Sequence, residues 1–509
     1  MTTFIEDVLK DLQKSGISVE DRLFVVPSKR AAIFIKFHLA NLLQHTSFVP
    51  RIISIEDFVK DLSGLKLISS TEQLFTFYSS YKKITASDKL ESFESFSKWA
   101  GILLQDFNEI DRHLIDENSI FDYLGAIKET EHWSLNPNKS EFIENYLSFW
   151  TNLKNYYKTY TDDLLSTGIG YQGLIYKQAV EHVETYIELN QKQQHIFLGF
   201  NALNKAESYI IQALLQANLA KIYWDIDKCF IEDPLHDAGL FIRTYKNNWS
   251  FFKSNSFDWI TSHYAQKKSI QVIGVPKQVG QAKYIGQLLE EIKAESTDLK
   301  RTAVVLGDET LIEPLLNSIP ASIDSINVTM GFPLKSVPLS TLFERLFYIH
   351  LKTGTSYYYK DVLALLSNKE VQIILKDHKS NLAIDLINRI NTNNILFVSY
   401  NDIKDLVPEK IEVLDLLFGK WKTSKEAISS CKKLIMLIKS KLAKSGNEML
   451  FEYLYRFNKL FNELERLNDT YNYFDTLSSL HSVYKELLSS ETMDFRGEPL
   501  EGLQIMGML

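Results

Sequence analysis

Short apolar runs recur along the chain, each bounded by polar or turn-forming residues. They occupy residues 23–26, 195–200, 222–224, 270–275 and 303–307. Each has the length of a strand and is followed by a stretch in which apolar residues have helical spacing. Short buried strands that alternate with helices are typical of a parallel α/β sheet. The pattern therefore predicts five parallel strands.

Two long regions lack this rhythm and have helical periodicity instead. They are residues 63–190 and 351–490. In the first region, one apolar helical face has spacings of three and four, and it comprises Phe93, Phe96, Ala100, Leu103, Phe107 and Ile110. We therefore predict a helix-rich α/β fold with two α/β domains, each interrupted by a helical insertion.

The last eight residues, 502–509, are apolar and resemble the start of a buried strand. Because chain ends are usually polar and frayed, we expect this sequence to be a fragment of a longer protein that continues beyond Leu509.

Composition restricts the classes of function. The formal net charge is −8, so any contact with DNA requires a local basic groove. Two cysteines, Cys229 and Cys431, exclude a disulfide framework and any all-cysteine zinc or iron–sulfur site within these residues. The acidic, amphipathic first residues and the lack of an apolar run of about 18–20 residues predict a cytoplasmic protein with no membrane contact.

Motifs for nucleotide binding are incomplete. The Gly419-Lys420 pair is followed by Trp421, and Leu414 stands where the first glycine of a phosphate-binding loop belongs. Residues 168–173 match Gly-x-Gly-x-x-Gly, but a helical pattern precedes them where a dinucleotide site needs a strand. We interpret them as a turn that ends a helix.

Two carboxylate clusters could hold Mg²⁺ in principle. Asp225 and Asp227 follow the third run, where helix capping or a solvated loop is the simpler interpretation. The second cluster is expected to form an exposed polar face or to contact a partner, and it comprises Asp106, Glu109, Asp111 and His113.

Nuclease motifs are also incomplete. Residues 377–379 (Asp-His-Lys) and 298–300 (Asp-Leu-Lys) each fit the second half of a PD-(D/E)xK site, which holds Mg²⁺ with acids and stabilises charge with lysine. Pro is nowhere followed by Asp, so the full motif is missing. We therefore assign no catalytic residue and no metal ligand.

Several segments, in their order along the chain, resemble PD-(D/E)XK nuclease family proteins of AddB type. This family is described as inactivated superfamily I helicases with a nuclease domain at the far end. The resemblance covers nearly the whole chain, as its amino-terminal part, and is carried by residues 23–30, 99–111, 168–176, 197–207, 223–239, 302–320, 327–339 and 496–508.

The resemblance implies a domain plan. Residues 1–62 and 191–265 would form a first, inactivated RecA-like domain, and residues 63–190 its helical insertion. Residues 266–350 and 491–509 would form an incomplete second RecA-like domain, and residues 351–490 its insertion. Residues 197–200 stand where an ATPase presents its Mg²⁺-binding acids, and they are apolar here.

The resemblance also implies a function. The protein would be the B subunit of a helicase–exonuclease that processes DNA double-strand breaks for recombinational repair, paired with an AddA-like helicase–nuclease subunit in a heterodimer. Mg²⁺ and, in many members, an iron–sulfur cluster belong to a downstream nuclease domain. The present chain would need no cofactor, and whether the protein is an enzyme stays open.

Candidate groups for guiding DNA are Ser28, Lys29 and Arg30 after the first run, with Lys277 and Gln278 after the fourth. Ligands bind at strand ends in such folds. The alternative is that these lysines only solvate loops. A protein-interaction scaffold without DNA contact is the second hypothesis for the whole chain, and the missing phosphate-binding loop disfavours an ATPase.

Overall fold

The fold is described from a computed structural model of the chain. It describes residues 3–15, 19–43, 48–131, 141–295, 298–352, 354–376, 381–406, 411–442, 448–493 and 500–508.

The strands are short and spread over the whole chain. In chain order they are β1 (Arg22–Val26), β2 (Arg51–Ser54), β3 (Lys66–Leu67), β4 (Ile169–Gly170), β5 (Gln194–Leu198), β6 (Ala220–Tyr223), β7 (Ala303–Leu306), β8 (Ile326–Val328), β9 (Phe332–Pro333), β10 (Ser356–Tyr358), β11 (Phe397–Ser399), β12 (Thr492–Met493) and β13 (Leu503–Gly507).

The helices make up most of the described residues. Those of the first half are α1 (Phe4–Lys14), α2 (Lys29–Leu42), α3 (Ile55–Ser63), α4 (Ser70–Ile84), α5 (Phe93–Arg112), α6 (Glu117–Glu131), α7 (Glu141–Ser166), α8 (Gln172–Leu189), α9 (Lys205–Gln216), α10 (Lys228–Glu232), α11 (Leu240–Asn248) and α12 (Phe251–Ser254).

The second half is also mostly helical among its described residues. Its helices are α13 (Gln278–Glu295), α14 (Ile312–Leu316), α15 (Pro338–Leu351), α16 (Tyr359–Leu366), α17 (Lys369–Leu375), α18 (Leu382–Thr392), α19 (Tyr400–Leu406), α20 (Ile411–Phe418), α21 (Ser424–Leu442), α22 (Glu448–Tyr471) and α23 (Leu477–Ser490). Among the helices that the structure describes, none combines the length and apolarity needed to cross a membrane.

The first sheet is parallel throughout, in the order β2-β1-β5-β6. Successive side chains of β1 alternate between its two faces. Phe24 and Val26 pack under α1 and α2, whereas Leu23 and Val25 belong to the core beneath α3, α8 and α9. Coverage on both faces explains why every residue of this apolar run is buried.

The second sheet has the order β7-β13-β8 and is also parallel. Its apolar core includes Leu306, Val328 and Ile505, which pack with Leu289 of α13 and Leu315 of α14. The strand predicted near the carboxyl end is confirmed as β13, and it is the central strand of this sheet. Leu509 and residues 496–499 of the last resembling segment lie outside the described residues.

The two helical regions share a single apolar core. Helices α4 to α7 and α15 to α23, which we call the helical body, contribute to one continuous cluster of buried residues. The predicted apolar face of α5 is confirmed, because all six of its residues are buried in this core. Two short sheets, β3-β4 and β10-β11, interrupt the helices, and the periodicity did not predict them.

Four of the five predicted strands are confirmed, as β1, β5, β6 and β7. The prediction for residues 270–275 is wrong. This segment has no regular secondary structure, and it pairs with no strand among the described residues. Its apolar side chains are exposed, with Ile270 at 77% and Val272 at 95% of the residue surface. A run of β-branched residues becomes a strand only where a neighbour pairs with its backbone.

Candidate nucleic-acid interface

Three of the five residues predicted to guide DNA, namely Ser28, Lys29 and Arg30, lie just after β1. Pro27 and Ser28 lead from the end of the strand into α2, which begins at Lys29. Ser28 occupies the N-cap position in an extended conformation, and its side chain makes no capping hydrogen bond. The amino end of α2 contains no acidic residue in its first turn. A helix amino terminus of this kind favours anions.

The charge of Lys29 is compensated locally. Its Nζ lies 3.0 Å from the Asp57 carboxylate in α3, which also accepts a hydrogen bond of 2.8 Å from Ser54. The Lys29 ammonium is the main reason why the pKa of Asp57 is below its ordinary value. Lys29 is nevertheless 74% exposed, so this pair is a weak surface interaction that a stronger anion can displace.

Arg30 occupies a different environment, between the two sheets. Its Nη2 donates a hydrogen bond of 2.7 Å to Oε1 of Gln504, which lies in β13 of the second sheet. The same oxygen accepts a 2.7 Å hydrogen bond from Asn327 in β8. The Arg30 guanidinium also lies 5.8 Å from the centre of the Phe34 ring.

The charge of Arg30 lacks a carboxylate partner among the residues that the structure describes. Partial burial lowers the pKa of its guanidinium, and its hydrogen-bond acceptor, Gln504, is a neutral amide. A guanidinium has five N–H donors, and among the described residues Gln504 accepts from one of its nitrogens, so other donors can bind an anion such as a phosphodiester. Arginine is suited to this because its planar fork matches two phosphate oxygens.

Lys277 and Gln278 lie at the other end of the second sheet. Gln278 begins α13 and donates a hydrogen bond of 2.8 Å to Asp308, which follows β7. Lys277 has a left-handed backbone, with φ of 63°. Gln504, in contrast, lies near the beginning of β13. No contact among the described residues joins Lys277 or Gln278 to Ser28, Lys29 and Arg30.

A cleft of about 670 Å³ opens beyond the carboxyl ends of β5 and β6. Asp227 caps α10 through the Cys229 N–H and accepts a second hydrogen bond from the Tyr264 N–H. The capping interpretation is thus confirmed for Asp227. Asp225 is exposed at the rim, although the crowding of protein atoms around its carboxyl raises its pKa.

Basic and aromatic residues line the same cleft, and sequence reasoning missed them. Tyr264 is 56% exposed and packs against Phe230 at 4.6 Å between ring centres. Lys267 and Lys268 follow in the loop beyond it. Aromatic rings next to lysines suit the stacked bases and phosphates of a single strand. In the sequence, the signal for this site is a tyrosine, Tyr264, followed closely by the lysines up to Lys268. It was missed because these residues lie in a loop, where no hydrophobic periodicity marks them.

The other motifs have structural roles. The predicted helix-ending turn is confirmed at Gly168, where φ is 69° just after α7 ends at Ser166, whereas Ile169–Gly170 form β4 and Gln172 and Gly173 begin α8. In residues 298–300, Asp298 accepts a hydrogen bond from the Lys300 N–H in a local turn. Residues 377–379 lie outside the described residues.

The acidic cluster on α5 is divided between two environments. Asp106, Glu109 and His113 are exposed, as expected. Asp111 is buried in the helical body, so the prediction of an exposed face is wrong for this residue. The Tyr157 and Tyr171 hydroxyls both donate hydrogen bonds to its carboxylate, and burial raises its pKa.

The described residues do not assemble a metal-binding site. Within the described ranges, no group of three or more His, Cys, Asp or Glu side chains is arranged to hold a metal ion. Cys431 is fully buried in α21, and burial raises its pKa, whereas Cys229 is partly exposed at the start of α10. These residues therefore do not fit an iron–sulfur cluster.

Comparison of the chain with models of known protein families gives no match, and a search of curated proteins likewise finds none.

Proposed function

We propose that this chain is a helicase-like scaffold of AddB type, which binds DNA and a partner subunit without hydrolysing ATP. In this proposal, the two parallel sheets are inactivated RecA-like units. The partner is an AddA-like helicase–nuclease, and the assembly processes double-strand breaks for recombinational repair. Exonuclease activity, with its Mg²⁺ and iron–sulfur cluster, would belong to a nuclease domain that is not among these residues.

The environment of Arg30 carries the proposal. A partly buried guanidinium lies between the two sheets, at a strand end, and its acceptor is the neutral Gln504. A buried charge without a counter-ion is costly, and a phosphate offsets that cost through charge-assisted hydrogen bonds. The net charge of −8 confines such binding to a local site of this kind.

The lack of ATP hydrolysis is supported by the two places where a motor would bind nucleotide. Helix α1, which precedes β1, would be what remains of the nucleotide-binding element after its glycine-rich phosphate loop was lost. At the end of β5, Gly199 and Phe200 stand where Mg²⁺-binding acids would be needed. The γ-phosphate and its metal would therefore lack ligands at both positions.

The helical body supports a static role. A motor needs its two α/β units to open and close during the nucleotide cycle. Here the helices inserted after β2 and those inserted after β8 share one apolar core. Relative movement of the two sheets would have to break that core, which is costly.

A non-catalytic protein-interaction scaffold is the second candidate. The observation that favours it is an acidic, amide-rich groove beside α5, where Glu56, Glu109 and Glu486 face one cavity. Such a surface repels phosphates and suits a protein partner.

Thermal unfolding with added ligand tests the proposal. A ligand that binds only the native state stabilises it by about 2.7 kcal/mol at one hundred times its Kd. We expect a single-stranded oligonucleotide to raise Tm and ATP with Mg²⁺ to leave it unchanged. Stabilisation by ATP would indicate a motor, and the absence of any shift with DNA would favour the protein-interaction scaffold.

A further inference from the structure

A groove of about 900 Å³ is lined by residues of α4, α5 and α23, together with Gln172 of α8 and Glu56 of α3. We call it the α5 groove. Three separate parts of the chain meet there, namely the first α/β unit and both helical regions. Its shape therefore depends on the folded arrangement of all three.

One helical stripe of α5 faces the groove. Lys98, Ile102, Gln105 and Glu109 all line it, and their spacings of four, three and four place them on one side of the helix. Ile102 is 66% exposed, although the opposite face of α5 is buried in the helical body. Leu67, at 60% exposure, lines the groove from β3. These two side chains are apolar anchors without a partner among the described residues.

The charges of the groove are mainly negative. Glu56, Glu109 and Glu486 line it, against one lysine, Lys98. Glu109 has local partners in Arg112 and His113. Glu486 is exposed and makes no ion pair within 4.0 Å among the described residues, although crowding by protein atoms raises its pKa to about 6. An unpaired carboxylate at this position can pair with an incoming ammonium or guanidinium group.

The amide groups fit a peptide backbone. Gln105 and Gln172 line the groove, and each side chain offers two N–H donors and a carbonyl acceptor. Amides placed between apolar anchors and carboxylates can pair with the N–H and C=O groups of an extended segment. A nucleic acid would meet three carboxylates here, which repel its phosphates.

We propose that the α5 groove binds a basic segment of a partner protein, in which an apolar side chain contacts Ile102 and Leu67 and a lysine or arginine pairs with Glu486. The occupant is a protein segment because the surface combines negative charge, apolar anchors and amides. This inference rests on the partner-binding half of the proposed function and specifies the chemistry of that partner.

A peptide-binding measurement tests the proposal. The probe is a fluorescent peptide of alternating lysine and leucine, with a glutamate–leucine peptide of the same length as its counterpart. We expect the basic peptide to bind the wild-type chain, and Ile102→Ser combined with Glu486→Gln to weaken that binding at least about tenfold, equivalent to 1.4 kcal/mol. The acidic peptide should not bind.

A matched variant controls for charge and surface apolarity. Leu235, 89% exposed, and Glu188, at the amino end of the first sheet, are replaced in the same way, by Ser and Gln. This control should bind the basic peptide as the wild type does. Equal affinity of all three proteins, or no binding to the wild type, would overturn the proposal.

The same variants separate this inference from the proposed function. Oligonucleotide binding by Ile102→Ser with Glu486→Gln should equal that of the wild type, because the groove repels DNA. Loss of peptide binding with DNA binding retained supports the groove. Failure of the wild type to bind DNA would contradict the proposed function. The peptide measurement would then still show whether the α5 groove binds a basic segment.

Discussion

Arg466 of α22 donates two parallel hydrogen bonds to the carboxylate of Glu72 in α4, with N–O distances of 3.1 and 2.9 Å. The two residues belong to the two different helical regions. Arg466 also contacts Glu463 on its own helix, so the pair forms part of a small network. This contact, together with the shared apolar core, joins the two regions into one helical body.

Replacement of Arg466 by Lys tests that joint. A lysine keeps the charge but loses the bidentate geometry, so we expect the free energy of unfolding to fall by about 1 kcal/mol. Urea denaturation measures the change. The matched control is Arg51→Lys, because Arg51 pairs with Asp61 at the exposed surface of the first unit and should cost about 0–0.5 kcal/mol. Equal losses of unfolding free energy in the two variants would mean that the Arg466–Glu72 pair stabilises the fold no more than an exposed ion pair does.

Limited proteolysis tests whether the helical body holds the chain together. Residues 262–277 link the two α/β units and are almost entirely exposed, so we expect trypsin to cut first at Lys267 or Lys268. The two fragments should still elute together on size exclusion, because their helices share one core. Separate elution without denaturant would contradict the single helical body.

Asp111→Ala should destabilise the fold strongly. The carboxylate is buried and accepts hydrogen bonds from Tyr157 and Tyr171, with Lys177 at 3.5 Å. Its removal leaves the two buried hydroxyls without their acceptor, which costs about 3 kcal/mol, whereas Lys177 keeps its ion pair with Glu117.

The control for this prediction is Asp106→Ala on the exposed face of the same helix. We expect this replacement to lower the free energy of unfolding by about 0.5 kcal/mol or less. If both variants unfold at the same urea concentration, the buried cluster is not a stabilising element.

His350 should make the fold sensitive to acid. Burial lowers the pKa of His350 to about 4, and its ring stacks on Trp421 at 4.0 Å. The unfolded chain therefore takes up this proton more readily than the folded chain. The stabilising contribution is complete above about pH 6.5 and is lost as pH falls toward 4, by roughly 2–4 kcal/mol at 1.36 kcal/mol per pKa unit.

His350→Phe keeps an aromatic ring on Trp421 and removes the titrating group. Its free energy of unfolding should change less than that of the wild type between pH 7 and pH 4.5. Parallel pH profiles for the two proteins would show that His350 does not carry the effect.

Elements with a clear local pattern of apolar residues could be predicted from the sequence. The runs that became β1 and β5 are apolar throughout because helices cover both faces, and the α5 face follows from spacing alone. Strand β2 was missed because its four residues begin with the charged Arg51 and make no distinct run. Residues 270–275 have strand composition, but the pairing that decides a strand cannot be read locally.

Contacts between residues that are distant in sequence could not be predicted from local patterns. Arg30 and Gln504 are 474 positions apart, and nothing in either local pattern indicates that they meet. Asp111 was grouped with its exposed neighbours because it shares their composition. Its burial depends on Tyr157 and Tyr171, which reach it from α7 and from the N-cap of α8.

The most direct test of the account is the salt dependence of DNA binding at Arg30. Anisotropy of a fluorescent single-stranded oligonucleotide, measured across a salt titration, gives the slope of log K against log salt concentration. We compare the wild type with Arg30→Gln and with Lys192→Gln, a control at the amino end of the first sheet.

If Arg30 contacts a phosphate, its replacement should weaken binding and reduce the magnitude of the slope by about 0.7. The Lys192 variant should match the wild type. An Arg30 variant with the affinity and slope of the wild type, or a wild-type chain that does not bind the oligonucleotide, would contradict the DNA-binding scaffold.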